Sequence, residues 1–136
     1  MNINLSGKNV LVTGAAKRIG REIALTVAQN GGNVAIHYYN SEEEVQKTKA
    51  EIENLGVNVT AIKADLANYE DVRKMKEELE ANFGSIDMIV NNAGWAQLKP
   101  FFQYERDEWQ RELNVNLNSV INLAHVFIPV MQEKNA

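Results

Sequence analysis

Short apolar runs alternate with amphipathic stretches along the chain. Residues 9–13, Asn-Val-Leu-Val-Thr, form a β-branched run that stops at Gly14 and predicts a buried parallel strand. Ile19, Ile23 and Val27 then recur every four positions, on one face of a helix predicted over 18–30. Gly31 and Gly32 end that helix, because glycine accepts the left-handed conformation past a helix C-terminus. Residues 34–38 predict the second strand. Ser41, with Glu44 three residues on, predicts a capping box at the start of a second helix that runs to about Leu55 and stops at Gly56. A third strand is predicted over 59–64. Val72, Met75, Leu79 and Phe83 share one face of a helix over 69–83, which Gly84 stops. A fourth strand over 86–90 and a long helix over 106–133 complete the pattern.

Strand and helix alternate four times, without internal repeat or linker. Right-handed crossovers then require a parallel sheet with helices on both faces, a three-layer Rossmann-type α/β fold forming one domain over 1–136. The last helix is apolar over more than one stripe: Leu113, Leu117, Val120, Ile121, Ala124, Phe127, Ile128 and Met131. It therefore buries a second face, either under the sheet or against another subunit. Pro129 is expected to kink it near its end.

Composition narrows the chemistry. The net charge of −4 argues against nucleic acid or an anionic membrane as the main partner. With no cysteine, disulfides, thiolate metal sites and a cysteine nucleophile are excluded, and His37 and His125 are too few for a histidine-based metal site. No uninterrupted run of about 18 apolar residues predicts a membrane span. Residues 1–8 are polar and lack the apolar core of a signal peptide, so the cytoplasm is the expected compartment.

The first strand runs straight into Thr13-Gly14-Ala15-Ala16-Lys17-Arg18-Ile19-Gly20. Gly14 permits a sharp turn, Gly20 permits close approach, and the small Ala15 and Ala16 leave room for a pyrophosphate. The helix start offers N–H groups and a positive dipole end, to which Lys17 and Arg18 add charge. The plainer alternative is an ordinary strand–helix turn carrying two surface bases. A Rossmann site for NAD usually places an acid about 20 residues past the glycine motif, on the ribose 2′-hydroxyl. Here the second strand ends in Tyr38-Tyr39-Asn40-Ser41, with no acid. Asn40 and Ser41 suit a 2′-phosphate that Lys17 and Arg18 neutralise, which favours NADP(H) over NAD(H). The competing assignment uses Glu42, Glu43 or Glu44 as the ribose acid, although acids there also complement the helix dipole.

Further landmarks follow in order. Asp65-Leu66 succeeds the third strand, Asn91-Asn92-Ala93-Gly94 succeeds the fourth, and Trp109 precedes Asn116 by seven residues. With the glycine turn, this set resembles the N-terminal portion of the short-chain dehydrogenase/reductase family, near its 3-oxoacyl-carrier-protein-reductase-like and pteridine-reductase-like members. The resemblance implies that Asp65 and Leu66 meet the adenine and that Asn92, Ala93 and Gly94 line the cofactor site. It implies that Asn116 is the one catalytic-set residue present and helps hold a proton-relay water. Arg18 stands where the family motif has its middle glycine, a substitution shared by some NADP(H)-using relatives. The family's catalytic serine and Tyr-x-x-x-Lys pair lie downstream of this region. Here Tyr38, Tyr39, Tyr69 and Tyr104 are followed four residues on by Glu42, Glu43, Arg73 and Glu108.

The expected function is therefore an NADP(H)-dependent oxidoreductase that reduces a small carbonyl by hydride transfer, with these residues alone catalytically incomplete. The alternative is a non-catalytic dinucleotide-binding or assembly module. Trp95, Leu98, Phe101 and Phe102 are candidates for the substrate wall or, equally, for core or interface. Family topology implies strand order 3-2-1-4, an exposed apolar edge at 86–90, and a chain that is marginal alone or forms a homo-oligomer through that edge and the last helix.

Overall fold

The computed structural model describes residues 3–134; Met1, Asn2, Asn135 and Ala136, and the readings of both chain ends that include them, lie outside the described residues. Strands β1 (Asn9–Val12), β2 (Asn33–Tyr38), β3 (Val59–Lys63) and β4 (Met88–Val90) form one parallel sheet in the order β3-β2-β1-β4. Helices α1 (Arg18–Gln29), α2 (Glu42–Glu53) and α3 (Tyr69–Asn82) fill the first three crossovers. After β4 come a 3₁₀ turn (Phe101–Gln103), α4 (Arg106–Leu113), a π-helical turn (Asn114–Asn118) and α5 (Ser119–Glu133).

The pleat sorts alternate strand residues into two cores. Val10, Val12, Val34 and Ile36 pack with Ala24, Val27 and Ala28 of α1 and with Val45 and Ile52 of α2. On the other face, Leu11, Ala35 and Ile62 pack with Val72, Met75 and Leu79 of α3 and with Leu123 and Phe127 of α5. Both sheet faces are thus covered, which is why the strands read as continuous apolar runs rather than alternating ones.

Two expectations need correction, and a third gains a detail. The capping box at Ser41 does not form: Ser41 is the N-cap of α2 but makes no side-chain cap bond, and Glu44 turns to Lys17, 3.4 Å away. An ammonium is a stronger partner for a carboxylate than a neutral N–H. Such a back-reaching bond occurs instead at α4, where Glu108 accepts from the Glu105 N–H at 2.8 Å. The fourth strand starts at Met88 rather than residue 86; Ile86 is buried ahead of the ladder, and the Asp87 N–H donates to Asn9 O at 2.8 Å. The helix expected over 106–133 is present as one helical run from Arg106 to Glu133 with the π turn inside it, and Pro129 lies inside α5 without ending it.

The continuous helical run Arg106–Glu133 is also long and apolar enough, by length and composition alone, to cross a membrane, where the sequence pattern predicted no such segment. It contains no uninterrupted apolar run of about 18 residues, since Asn114, Asn116, Asn118 and Asn122 punctuate it. Two of these asparagines tie it to the loops of the sheet: Asn116 bonds the Trp95 backbone, and Asn122 donates to Leu66 O at 3.0 Å.

Candidate functional site

A cleft of about 790 Å³ opens at the C-terminal ends of the strands, where the glycine turn after β1, the ends of β2 and β3, and the loop after β4 converge. This is where the strand order reverses, the usual ligand position in an open α/β sheet.

The glycine turn is fixed by close backbone approach. Gly14 has φ of 62°, and a Cβ there would lie 2.9 Å from Ala93 Cα. A Cβ on Gly20 would come within 2.2 Å of Gly14 O and 2.5 Å of Asn92 Nδ2. Between them, Arg18 has φ of 54°, the only non-glycine residue with positive φ among the described residues. The left-handed conformation that a glycine would take here is kept although the residue carries a Cβ. Lys17 precedes α1 in extended conformation with no side-chain cap, so the leading N–H groups of α1 face the cleft without an intrahelical acceptor.

Side chains from three strand ends and from α2 hold this turn. Thr13 Oγ1 accepts from the N–H groups of Asn92 (2.9 Å) and Ala93 (3.0 Å). Asn92 Nδ2 donates to Thr13 O at 2.9 Å and to Gly14 O at 3.2 Å. Thr48 Oγ1 of α2 donates to Ala16 O at 2.8 Å. The His37 ring is buried beneath the turn: Nδ1 accepts the Gly14 N–H at 3.2 Å, and Nε2 donates to Ala64 O at 3.0 Å. Burial pushes the His37 pKa down, against the smaller opposing pull of the Ala64 carbonyl and Asp65.

The charges around the β2–α2 corner are mostly spoken for. Glu42 pairs with Lys63, Glu43 with Lys47 at 2.6 Å, and Glu44 with Lys17 at 3.4 Å. Lys63 beside it holds the Glu42 carboxyl below its ordinary range; the Glu44 carboxyl is held low by its own backbone N–H and then by Lys17. Arg18 is exposed and makes no ion pair among the described residues. Asp65 Oδ1 accepts the Ala67 N–H at 3.0 Å, which shapes the loop at the end of β3.

The cleft brings together nearly all the sequence-predicted cofactor residues: Gly14, Ala16, Lys17, Arg18, Ile19, Gly20, Asn40, Ser41, Asp65, Leu66, Asn92, Ala93 and Gly94 line it. Ala15 does not. It is fully buried in the core beneath the turn, with its N–H on His37 O at 3.0 Å, so it supports the turn rather than making room for a ligand. Asn116 lies outside the lining, in the π turn. Its amide is committed to the Trp95 backbone, accepting the N–H at 2.9 Å and donating to the carbonyl at 2.6 Å. Of the candidate substrate residues, Trp95 lines the cleft, whereas Leu98, Phe101 and Phe102 project into solvent.

Sequence reasoning missed His37, Tyr39 and the α4 wall, where Asp107, Gln110, Arg111 and Asn114 face the cleft and the Arg111 guanidinium stacks 4.6 Å from the Trp95 ring centre. Signals existed for both. A histidine inside an otherwise apolar strand must have its nitrogens satisfied, and polar residues at 107, 110, 111 and 114 recur at helical spacing on one face.

The comparisons with known proteins agree with this geometry. A family model described as short chain dehydrogenase matches residues 8–136. The 3-oxoacyl-(acyl-carrier-protein) reductase FabG of Staphylococcus aureus is 39% identical over 124 residues, covering 91% of this chain and 50% of that protein. The hydroxynaphthalene reductase-like protein Arp2 of Metarhizium robertsii is 33% identical over 126 residues, covering 92% of this chain and 47% of that protein. Among solved structures, a short-chain type dehydrogenase/reductase from Mycobacterium marinum superposes with a TM-score of 0.90 at 30% identity, over 96% of this chain and 53% of that one. L-Sorbose reductase from Gluconobacter frateurii, solved with NADPH and L-sorbose, gives 0.90 at 26% identity, over 98% of this chain and 51% of that one. The chain spans about half the length of the curated relatives it matches.

Proposed function

The chain belongs to the short chain dehydrogenase family, and from that premise we propose that residues 1–136 form an NADP(H)-binding Rossmann domain of an oxidoreductase that reduces a small carbonyl, of the 3-oxoacyl kind. The observation that carries the cofactor choice is electrostatic. The cleft presents the unpaired Arg18 and the half-exposed Lys17 beside Asn40 and Ser41, while the nearby acids Glu42, Glu43 and Glu44 are each engaged by a lysine. A 2′-phosphate gains charge-assisted bonds there, and a 2′-hydroxyl finds no free carboxylate.

The residues present fit a dinucleotide. A Cβ on Gly14 or Gly20 would collide with neighbouring backbone, so the turn is as close-packed as a pyrophosphate cradle requires, and the start of α1 supplies N–H donors and dipole. Asp65, Leu66, Asn92, Ala93 and Gly94 form the floor for the adenosine half. When bound, the nicotinamide supplies the hydride. In this reading Asn116 acts from the π turn, through the loop it clamps at Trp95. The exposed Leu113, Leu117, Ile121 and Ile128 then serve a homo-oligomer contact, and the cytoplasm is the compartment such a reaction implies.

A second reading, a dinucleotide-binding or assembly module, is favoured by one observation: these residues contain no Tyr-x-x-x-Lys pair to move the proton. Parallel titrations with NADPH and NADH, followed by tryptophan fluorescence, test the cofactor assignment. NADPH is expected to bind about tenfold or more tightly, and equal or tighter NADH binding would overturn it. NADPH oxidation against a panel of carbonyls separates the two readings, and the 136 residues alone are expected to give no turnover.

A further inference from the structure

We propose that His37 is the positioning residue that holds the glycine turn in its cofactor-accepting shape, and that a proton added to its ring releases the turn. This rests on the dinucleotide reading of the cleft.

The geometry makes His37 the junction of three strand ends. Its Nδ1 accepts from Gly14, directly after β1 and Thr13; its Nε2 donates to Ala64, directly after β3; and its own carbonyl, on β2, accepts the Ala15 N–H at 3.0 Å. Only the neutral tautomer with the proton on Nε2 satisfies both ring bonds. A second proton, on Nδ1, sets two N–H groups against each other and leaves the half-buried Gly14 N–H without its acceptor. Gly14 has little freedom to absorb this. It abuts Ala93, and its carbonyl lies against Gly20, so a shift at Gly14 passes to the first N–H groups of α1.

The charges facing the ring come from several elements. Asp65, after β3, favours the proton; Lys17 and Arg18 on the turn line the same cleft; Glu42 and Glu44 at the start of α2 are tied to Lys63 and Lys17. Burial outweighs Asp65, so the ring titrates below its ordinary 6.5. The sign follows: the turn is latched at neutral pH and loosens as the pH falls through the lowered value. One proton is then lost per cofactor bound, so affinity falls by up to about tenfold per pH unit below it.

Two substitutions separate the ring's two bonds. In His37→Asn the amide oxygen stands near the place of Nδ1 and keeps the Gly14 bond without titrating; in His37→Gln the amide nitrogen reaches toward Ala64 instead. Affinity for the acid-stable oxidised cofactor NADP+ is measured for wild type and both variants from about pH 7.5 down to the lowest pH at which circular dichroism shows each protein still folded. The 2′-phosphate itself titrates near pH 6, so the readout is the difference between proteins. The expected result is that wild type loses affinity more steeply than H37N once the pH falls through the lowered His37 titration, by up to about tenfold per pH unit, that H37N still binds, and that H37Q binds weakly even at the upper pH. Parallel profiles for wild type and H37N, or H37Q binding as wild type does, would overturn the proposal while leaving the dinucleotide reading intact. Failure of wild type to bind at the upper pH would sink that reading, and this proposal with it.

Discussion

Arg18 holds a backbone conformation, φ of 54°, that a side chain disfavours by about 1 kcal/mol. Its neighbours impose it: Gly14 and Gly20 touch across the turn, and the residue between them must fold back. Arg18→Gly relieves that strain but adds a similar amount of unfolded-chain entropy, so thermal stability is expected to change by less than about 1 kcal/mol. NADPH affinity is expected to fall about tenfold with NADH affinity unchanged; an equal loss for both cofactors would mean that the guanidinium is not a 2′-phosphate ligand. Glu44 offers the opposite test. It pairs with Lys17 at the cleft, and both side chains are about half exposed. Glu44→Gln is expected to tighten NADPH by about threefold at low salt, the gain disappearing at high salt, with NADH indifferent. Titration at two ionic strengths checks this. At this scale the sequence was legible where a residue type has one use, as with Gly14, Gly20, Lys17 and Arg18. It was silent on His37, whose part depends on which backbone atoms two other strand ends place around the ring.

At the scale of elements, the alternation of strand and helix was readable because each strand is buried on both faces and each early helix carries one apolar stripe. The π turn was not. A wide apolar surface over 113–131 signals two buried or contacting faces, yet it does not say where the helix changes phase. The structure divides that surface: Leu123 and Phe127 enter the core against α3, while Leu113, Leu117, Ile121 and Ile128 stay outside. The π turn lies at the change and presents Asn116 to the loop after β4. Asn116→Ala removes both bonds to the Trp95 backbone. It is expected to destabilise the chain by roughly 1–2 kcal/mol and to raise hydrogen exchange over residues 95–104 above that of the sheet. Unchanged exchange there would show that the loop is held by other contacts, such as Glu112 on Gln97 and Tyr104.

At the scale of the molecule, the two-sided core follows from crossover handedness and from the apolar runs, whereas the strand order β3-β2-β1-β4 was implied by the family resemblance. The edge at β4 follows as well: among the described residues β4 pairs only with β1, and Met88 is half exposed. Together with the stripe on α4 and α5, this leaves apolar surface that water does not favour. Light scattering of these residues at high concentration is expected to show species larger than a monomer, and Ile121→Glu to reduce them. A monodisperse monomer in the unaltered chain would contradict the contact assigned to that stripe.

The most direct test of the central claim is a map of backbone amide shifts on adding NADPH. The account predicts perturbations concentrated at Gly14–Gly20, Asn40–Ser41, Asp65–Leu66 and Asn92–Gly94, with those at Asn40 and Ser41 diminished when NADH is used. Shifts centred instead on the apolar groove formed by Ile3, Leu5, Ile23 and Val27, or spread along the exposed face of α5, would contradict it.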